Sequence, residues 1–172
     1  MSQPRRFARL FTVVTVVSAL GASAAPAFGR KCPNIMFVVD KSGSMLQDPM
    51  GGGNHPNKWE LVSTAISQTL SKYDRIPFGL TTFGALGGGI GACYNDSAVE
   101  VEIAPHNAAR IRQKLAMPPL PQASTNTGEA IRRAMNDSRE LGSRLRSDFI
   151  VLITDGTPNC SKPEPDNTIA EI

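Results

Sequence analysis

Two short runs of uninterrupted apolar residues constrain the fold of this 172-residue chain more than any other feature. One run covers residues 35–39 and the other covers residues 149–153. Runs of this kind are typical of parallel strands that helices cover on both faces of a sheet. Asp40 follows the first run directly, and Asp155 follows the second run after one threonine. Because ligands of such sheets bind beyond the carboxyl ends of the strands, this pattern predicts a site that contains both aspartates.

The segments between these runs alternate between strand and helix patterns. Asn57 and Glu60 have the spacing of a capping box, which predicts the start of a first helix. Residues 98–103 alternate apolar and polar side chains, as a half-exposed edge strand does. The other predicted elements are a strand over 76–83, a helix over 107–117, and a third helix with Thr127 as its N-cap and Gly142 as its stop. This order favours an α/β fold, in which helices flank a doubly wound, mostly parallel sheet with one antiparallel edge strand.

The net charge of +3 arises from three arginines near the N-terminus, Arg5, Arg6 and Arg9. The chain has 18 Lys and Arg residues in all, so 15 remain to balance its 15 Asp and Glu residues. This neutral balance gives no electrostatic reason to expect binding to nucleic acid or to an acidic membrane surface.

Residues 1–27 have the three parts of a secretory signal peptide. A basic segment precedes an apolar segment over residues 10–20, and small residues follow it. The small residues allow cleavage after Ala24, Ala25 or Ala27, and an uncleaved membrane anchor is the alternative. We therefore expect an exported protein that is secreted, periplasmic or at the cell surface, with no membrane insertion after cleavage.

Asp40, Ser42 and Ser44 alternate along the turn that follows the first strand. Because Gly43 lies inside this segment, a tight turn can direct all three side chains toward one point. Their oxygen atoms are hard ligands, and no Cys or His stands among them, which favours Mg²⁺, Mn²⁺ or Ca²⁺ over zinc or copper. Several neutral hydroxyls and few charges favour Mg²⁺-like binding with open or water-filled positions, so Ca²⁺ ranks below Mg²⁺ and Mn²⁺.

Three segments of the chain, in order, resemble the metal-ion-dependent adhesion site of von Willebrand factor type A domains. They are Asp40-x-Ser42-x-Ser44, Thr125 within Ser-Thr-Asn-Thr-Gly-Glu-Ala, and Asp155 within Ile-Thr-Asp-Gly. The resemblance implies that Ser42 and Ser44 coordinate the metal directly, and that Thr125 does so in the ligand-bound form. Asp40 and Asp155 would act directly or through water. The open metal position would accept an Asp or Glu carboxylate from a protein partner.

The resemblance implies one domain over residues 34–172, after a short lead-in over residues 28–33. The family fold usually continues with two more strands and their helices. We therefore expect a sheet that lacks its last two strands and has the strand of residues 149–153 as an apolar edge.

Export makes disulfides possible, and three cysteines are an odd number, so at least one has no disulfide partner within this chain. The resemblance puts Cys93 and Cys160 in loops on the metal face, which makes them a candidate disulfide pair. Cys32 precedes the first strand, on the opposite face. Spacing alone leaves the pairing open.

The residues favour a non-enzymatic binding module over an enzyme. A metal-dependent hydrolase or phosphotransferase on a similar sheet is the alternative, but a haloacid-dehalogenase-like enzyme needs an aspartate where Ser42 stands. No G-x-S-x-G sequence surrounds Ser42 or Ser44. His55 and His106 lie in or beside proline-containing loops, without a metalloprotease motif, and we expect both to be exposed. A truncated remnant that no longer binds metal is a further alternative.

Overall fold

A computed structural model of the protein describes residues 32–84, 99–121, 124–142 and 146–156. These residues form four strands, three α-helices and one short 3₁₀ turn. The strands are β1 (Asn34–Asp40), β2 (Phe78–Phe83), β3 (Val101–Ala104) and β4 (Asp148–Ile153). The helices are α1 (Lys58–Lys72), α2 (Ala108–Leu115) and α3 (Thr127–Asp137), and the 3₁₀ turn is Gly43–Leu46.

Two of the sequence predictions fall outside the described residues. They concern the signal peptide over residues 1–27 and the candidate pair Cys93 and Cys160, and both stay predictions. Cys32 is described, and its thiol is free and exposed. Within the described ranges, no helix is long and apolar enough to cross a membrane.

The four described strands form one mixed sheet in the order β3-β2-β1-β4. β1 pairs in parallel with β2 on one side and with β4 on the other. β3 pairs antiparallel with β2 and forms one edge, as its alternating sequence predicts. The mixed sheet with one antiparallel strand confirms the predicted α/β fold class.

Side chains of β1 alternate between two buried clusters, one on each face of the sheet. Phe37 and Val39 pack with apolar residues of α1 and α2. Met36 and Val38 pack with alanines of α3. None of the four is more than 6% exposed. Because helices cover both faces of β1, its carboxyl end is held firmly in the middle of the sheet.

The capping box predicted at the start of α1 is present. The backbone N–H of Glu60 donates to Asn57 Oδ1 at 2.9 Å, and the backbone N–H of Asn57 donates to Glu60 Oε2 at 3.0 Å. These two bonds satisfy N–H groups that have no partner within the helix. They fix Lys58 as the first helical residue.

Three local predictions are wrong. The helical spacing of Tyr73 from the other apolar residues of α1 predicts that it faces the core, but it is 44% exposed because its backbone leaves the helical conformation (φ −124°, ψ 39°). Thr127 is the first residue of α3, so Asn126 is its N-cap. α3 ends before Gly142, because Ser138 is already extended (φ −78°, ψ 128°).

β4 lies at the other edge of the described sheet, where it pairs with β1 alone. Its side chains are less covered than those of β1, since Phe149 is 54% exposed and both Val151 and Leu152 are 38% exposed. Pairing with β1 therefore does more than burial to position the carboxyl end of β4.

Candidate metal centre

The turn after β1 directs two serine hydroxyls to the same place. The backbone N–H of Ser42 donates to Asp40 Oδ1 at 2.7 Å, which closes a tight turn directly after the strand. The 3₁₀ turn Gly43–Leu46 follows, and Met45 anchors it because its side chain is only 1% exposed. The Oγ atoms of Ser42 and Ser44 lie 3.0 Å apart. The structure thus brings the first three predicted ligands together.

Asp155 joins this cluster from the segment that follows β4. Ser44 Oγ donates to Asp155 Oδ1 at 2.8 Å, although 111 positions separate the two residues. The sheet register explains the contact, because Val39 of β1 is paired in parallel with Ile153 of β4. Parallel pairing puts the carboxyl ends of both strands at one edge of the sheet.

Thr125 lies in the segment that leads into α3 and is 6% exposed. The chain just before this segment packs closely against the serine turn. A Cβ atom added to Gly43 would lie 2.1 Å from the carbonyl oxygen of Pro121, a distance that no side chain tolerates. Only glycine therefore allows the chain that leads to Thr125 to approach the turn so closely.

Thr154 and Lys58 also belong to the cluster, although neither is among the ligands predicted from the sequence. Thr154 Oγ1 donates to Asp40 Oδ2 at 2.6 Å, and Lys58 Nζ donates to Asp155 Oδ2 at 2.6 Å. The sequence contains a weak signal for each. Thr154 is a hydroxyl residue at the end of a strand, and Lys58 is a cation in the first turn of a helix, where the helix dipole disfavours positive charge.

The hydrogen bonds around Asp155 favour its charged form. Burial raises the pKa of this carboxyl, but the hydrogen bonds from Lys58 and Ser44 and the charge of Lys58 together hold the pKa below its usual value. Asp155 is therefore ionised at neutral pH and attracts a cation.

The donor atoms of the cluster fit a hard divalent cation that is held partly by neutral oxygens. In the part of the chain that the structure describes, no three His, Cys, Asp or Glu side chains gather into a metal-binding group. The cluster offers two carboxylates and the hydroxyls of Ser42 and Ser44, which are the ligand types that Mg²⁺ and Mn²⁺ accept. In this structure the positively charged ammonium group of Lys58 is bound to Asp155 Oδ2.

Both histidines form contacts outside the cluster. His55 Nδ1 lies 3.4 Å from Asp48 Oδ2, and His106 Nδ1 pairs with Asp74. Their side chains are 51% and 65% exposed, which confirms the predicted exposure of the two rings.

The fold and the cluster together define an α/β domain that presents hydroxyl and carboxylate oxygens at the carboxyl ends of parallel strands. The family model of the von Willebrand factor type A domain matches residues 34–172. The chain therefore belongs to the von Willebrand factor type A family. No curated protein matches its sequence.

Three solved structures share the fold at low sequence identity. Proximal thread matrix protein 1 from the mussel byssus is 15% identical, with a TM-score of 0.59, over 83% of this chain and 35% of that chain. The conserved hypothetical protein BatB from Bacteroides thetaiotaomicron is 19% identical, with a TM-score of 0.57, over 79% of this chain and 58% of that one. The pilus adhesin SpaC from Lactobacillus rhamnosus GG is 23% identical, with a TM-score of 0.55, over 74% and 16% of the two chains. The chain thus spans less than two thirds of each of these proteins, and the likeness is one of fold.

Proposed function

We propose that this protein is a non-enzymatic adhesion module that holds Mg²⁺ or Mn²⁺ and uses it to capture an acidic group of a protein partner. The ligands of the cation are Asp40, Ser42, Ser44, Thr125 and Asp155. The hydrogen bond between Ser44 and Asp155 carries the proposal, because it unites oxygen atoms from two strand ends at one point.

The chemistry of these ligands suits capture of an external carboxylate. Both carboxylate oxygens of Asp40 already accept hydrogen bonds, from the Ser42 N–H and from Thr154 Oγ1, so Asp40 suits a role through water. Serine and threonine hydroxyls carry no charge, and an Asp40 that acts through water does not contact the cation, so most of the direct ligands are neutral oxygens. Mg²⁺ also retains several exchangeable waters in protein sites. An Asp or Glu side chain of a partner can replace one of these waters and add a charged ligand to the cation.

Binding fits the cluster better than catalysis does. The hydroxyls of Ser42 and Ser44 contact each other, and Ser44 contacts Asp155. The hydrogen-bonding partners of His55 and His106 are carboxylates outside the cluster. A serine hydroxyl is a weak nucleophile unless an adjacent base activates it, and among the described residues no histidine contacts Ser42 or Ser44.

The names of two similar proteins support an adhesive role outside the cytoplasm. SpaC is a pilus adhesin, and proximal thread matrix protein 1 belongs to the mussel byssus. Their likeness to this chain is one of fold, and their roles enter here as part of the proposal. The signal peptide predicted over residues 1–27 further supports export to the cell surface, the periplasm or the medium.

Isothermal titration of the purified chain with Mg²⁺, Mn²⁺ and Ca²⁺ tests the cation site. We expect one site per chain, with Ca²⁺ the weakest of the three ions. Asp155→Ala and Ser42→Ala should each weaken Mg²⁺ binding by about tenfold or more, because each removes one ligand. Asp74→Asn removes an exposed carboxylate outside the cluster and should leave the affinity unchanged. Equal binding by Asp155→Ala would refute the site, as would absence of binding by both the folded wild type and a folded Lys58→Gln variant, which lacks the ammonium group at Asp155.

Capture of an acidic group has its own test. Immobilised peptides that each carry a single Asp or Glu are compared with matched Asn or Gln peptides, in Mg²⁺ and then in EDTA. The proposal requires that the acidic peptides retain the wild-type protein when Mg²⁺ is present. It also requires that EDTA abolishes this retention and that the Asp155→Ala variant is not retained. Equal retention on the amide peptides would show that the partner is not recognised through a carboxylate.

A further inference from the structure

We propose that Lys58 occupies the place of the cation at Asp155, so that a divalent cation binds only by displacing the Lys58 ammonium group. Lys58 then lowers the affinity of the site for a divalent cation. It also links the start of α1, where Lys58 lies, to whether the site holds that cation. This inference rests on the proposed function, because it concerns the same cation site.

The contact between Lys58 and Asp155 is direct and partly shielded from water. Lys58 Nζ lies 2.6 Å from Asp155 Oδ2, and the two side chains are 28% and 10% exposed. The other carboxylate oxygen, Oδ1, accepts the hydroxyl of Ser44. The ammonium group therefore takes the one oxygen of Asp155 that the serine turn leaves available. Charge-assisted hydrogen bonds of this kind are stronger than bonds between neutral groups.

The stability of α1 does not account for a lysine at this position. Asn57 and Glu60 already cap the helix N-terminus. A positive charge in the first turn opposes the helix dipole, which favours anions there. The compensating partner of Lys58 is Asp155, which lies 97 positions away in the sequence. The cluster, and not the helix, therefore gives this lysine its favourable interaction.

A divalent cation and the ammonium group cannot share Asp155 without strong repulsion. Two positive charges held about 4 Å apart in a partly buried site repel each other much more than they do in water. The lysine side chain is flexible, and its 28% exposure leaves it a route into solvent. Each cation that binds must therefore first break an existing ion pair, which lowers the apparent affinity of the site.

Titration of Mg²⁺ into three lysine variants of the full chain tests this proposal. Lys58→Gln removes the competing charge and should raise the Mg²⁺ affinity by about tenfold or more. Lys58→Arg keeps the charge, so its affinity should stay at or below that of the wild type. Lys72→Gln makes the same charge change at the other end of α1, about 20 Å along the helix axis, and should shift the affinity by less than about twofold.

Acetylation of lysines, read by mass spectrometry on the wild-type chain, gives a measurement that does not depend on any variant. We expect saturating Mg²⁺ to increase the acetylation rate of Lys58 and to leave that of Lys72 unchanged. An affinity of Lys58→Gln equal to that of Lys72→Gln, or a Lys58 acetylation rate that Mg²⁺ does not raise, overturns this inference while the cation site stands. Absence of Mg²⁺ binding by the wild type and by Lys58→Gln, both folded, overturns the proposed function together with this inference. Binding by Lys58→Gln alone supports displacement of the ammonium group directly.

Discussion

The hydroxyl of Thr154 donates a hydrogen bond to Asp40 Oδ2 at 2.6 Å and joins two strand ends that lie 114 positions apart in the sequence. Asp40 is completely buried, so its oxygens depend on protein groups for hydrogen bonds. The Ser42 N–H satisfies Oδ1, and Thr154 satisfies Oδ2. Thr154 therefore links the edge strand β4 to the central strand β1 at the position where the cation site is proposed.

Replacement of Thr154 by valine should destabilise the protein and loosen the site. Valine has nearly the same shape but no hydroxyl, so one oxygen of the buried Asp40 carboxylate loses its donor. We expect a loss of about 1–3 kcal/mol in the free energy of unfolding, measured by urea denaturation. Thr154→Ser keeps the donor and is the matched control. Equal stability of the two variants would show that this hydrogen bond contributes nothing to the fold.

Gly43→Ala should separate the serine turn from the chain that leads to Thr125. The added Cβ atom would lie 2.1 Å from the carbonyl oxygen of Pro121, so backbone must move. We expect a loss of about 1–3 kcal/mol in unfolding free energy, as in overpacked cores, together with weaker Mg²⁺ binding. Gly156→Ala is a suitable control, because a Cβ atom there meets no atom of the described residues within 4 Å. A Gly43→Ala variant that binds Mg²⁺ like the control would contradict the role given to this close approach.

The parts of the fold that the sequence predicts well depend on local signals. Asn57 and Glu60 form the predicted capping box because both side chains act within one helical turn. Ile111 and Leu115 face the core, as their four-residue spacing requires. Tyr73 lies where the helix gives way to a turn, and periodicity alone does not reveal where a helix stops.

The site is predictable from sequence only where its residues share one turn or one strand end. Asp40, Ser42 and Ser44 meet because a single turn holds them, and Asp155 reaches them because parallel strands end at the same edge. The contact of Lys58 with Asp155 depends on side-chain direction across 97 positions, which no local pattern encodes.

The glutamates of the edge strand also show that a local sequence pattern does not reveal contacts with distant residues. The alternating sequence predicts that these glutamates face solvent. Glu100 instead accepts a hydrogen bond from the hydroxyl of Thr82, which follows from the pairing of β2 with the chain at β3. A polar side chain on an edge strand can thus form a hydrogen bond within the sheet, and not only with water, when the neighbouring strand carries a donor.

Loss of the N-cap should weaken α1 and, with it, the position of Lys58. Asn57→Ala removes the acceptor of the Glu60 N–H, which should cost about 0.5–2 kcal/mol in unfolding free energy. Glu60→Gln retains an acceptor for the Asn57 N–H and loses only a charge near the helix dipole, so we expect a smaller loss of about 0.3–1 kcal/mol. Urea denaturation of both variants measures the difference. A larger loss in Glu60→Gln would mean that charge, and not the capping bond, stabilises the start of α1.

Because of Glu129, the free energy of unfolding should vary with pH in the acid range. Its carboxylate accepts hydrogen bonds from Arg132 at 2.8 and 2.5 Å and from Arg133 at 2.7 Å, and the side chain is only 9% exposed. The hydrogen bonds from Arg132, together with the one from Arg133 and the charges of both arginines, outweigh burial and hold the pKa of Glu129 below its usual 4.5. A lowered pKa means that the ionised carboxylate stabilises the folded state above its unfolded pKa. This contribution is lost as the pH falls through the folded pKa.

Glu129→Gln should therefore lower the free energy of unfolding at pH 7, by about 1 kcal/mol, because water screens the partly exposed Arg132. The difference from the wild type should shrink as the pH falls below 4.5 and through the lowered pKa of the folded carboxylate, because the wild-type carboxylate then becomes protonated as well. Asp137→Asn changes an exposed carboxylate at the end of the same helix and serves as the control. Urea denaturation midpoints measured across this pH range give the comparison. A constant difference between Glu129→Gln and the wild type at every pH would mean that shape, and not the charge of Glu129, stabilises α3.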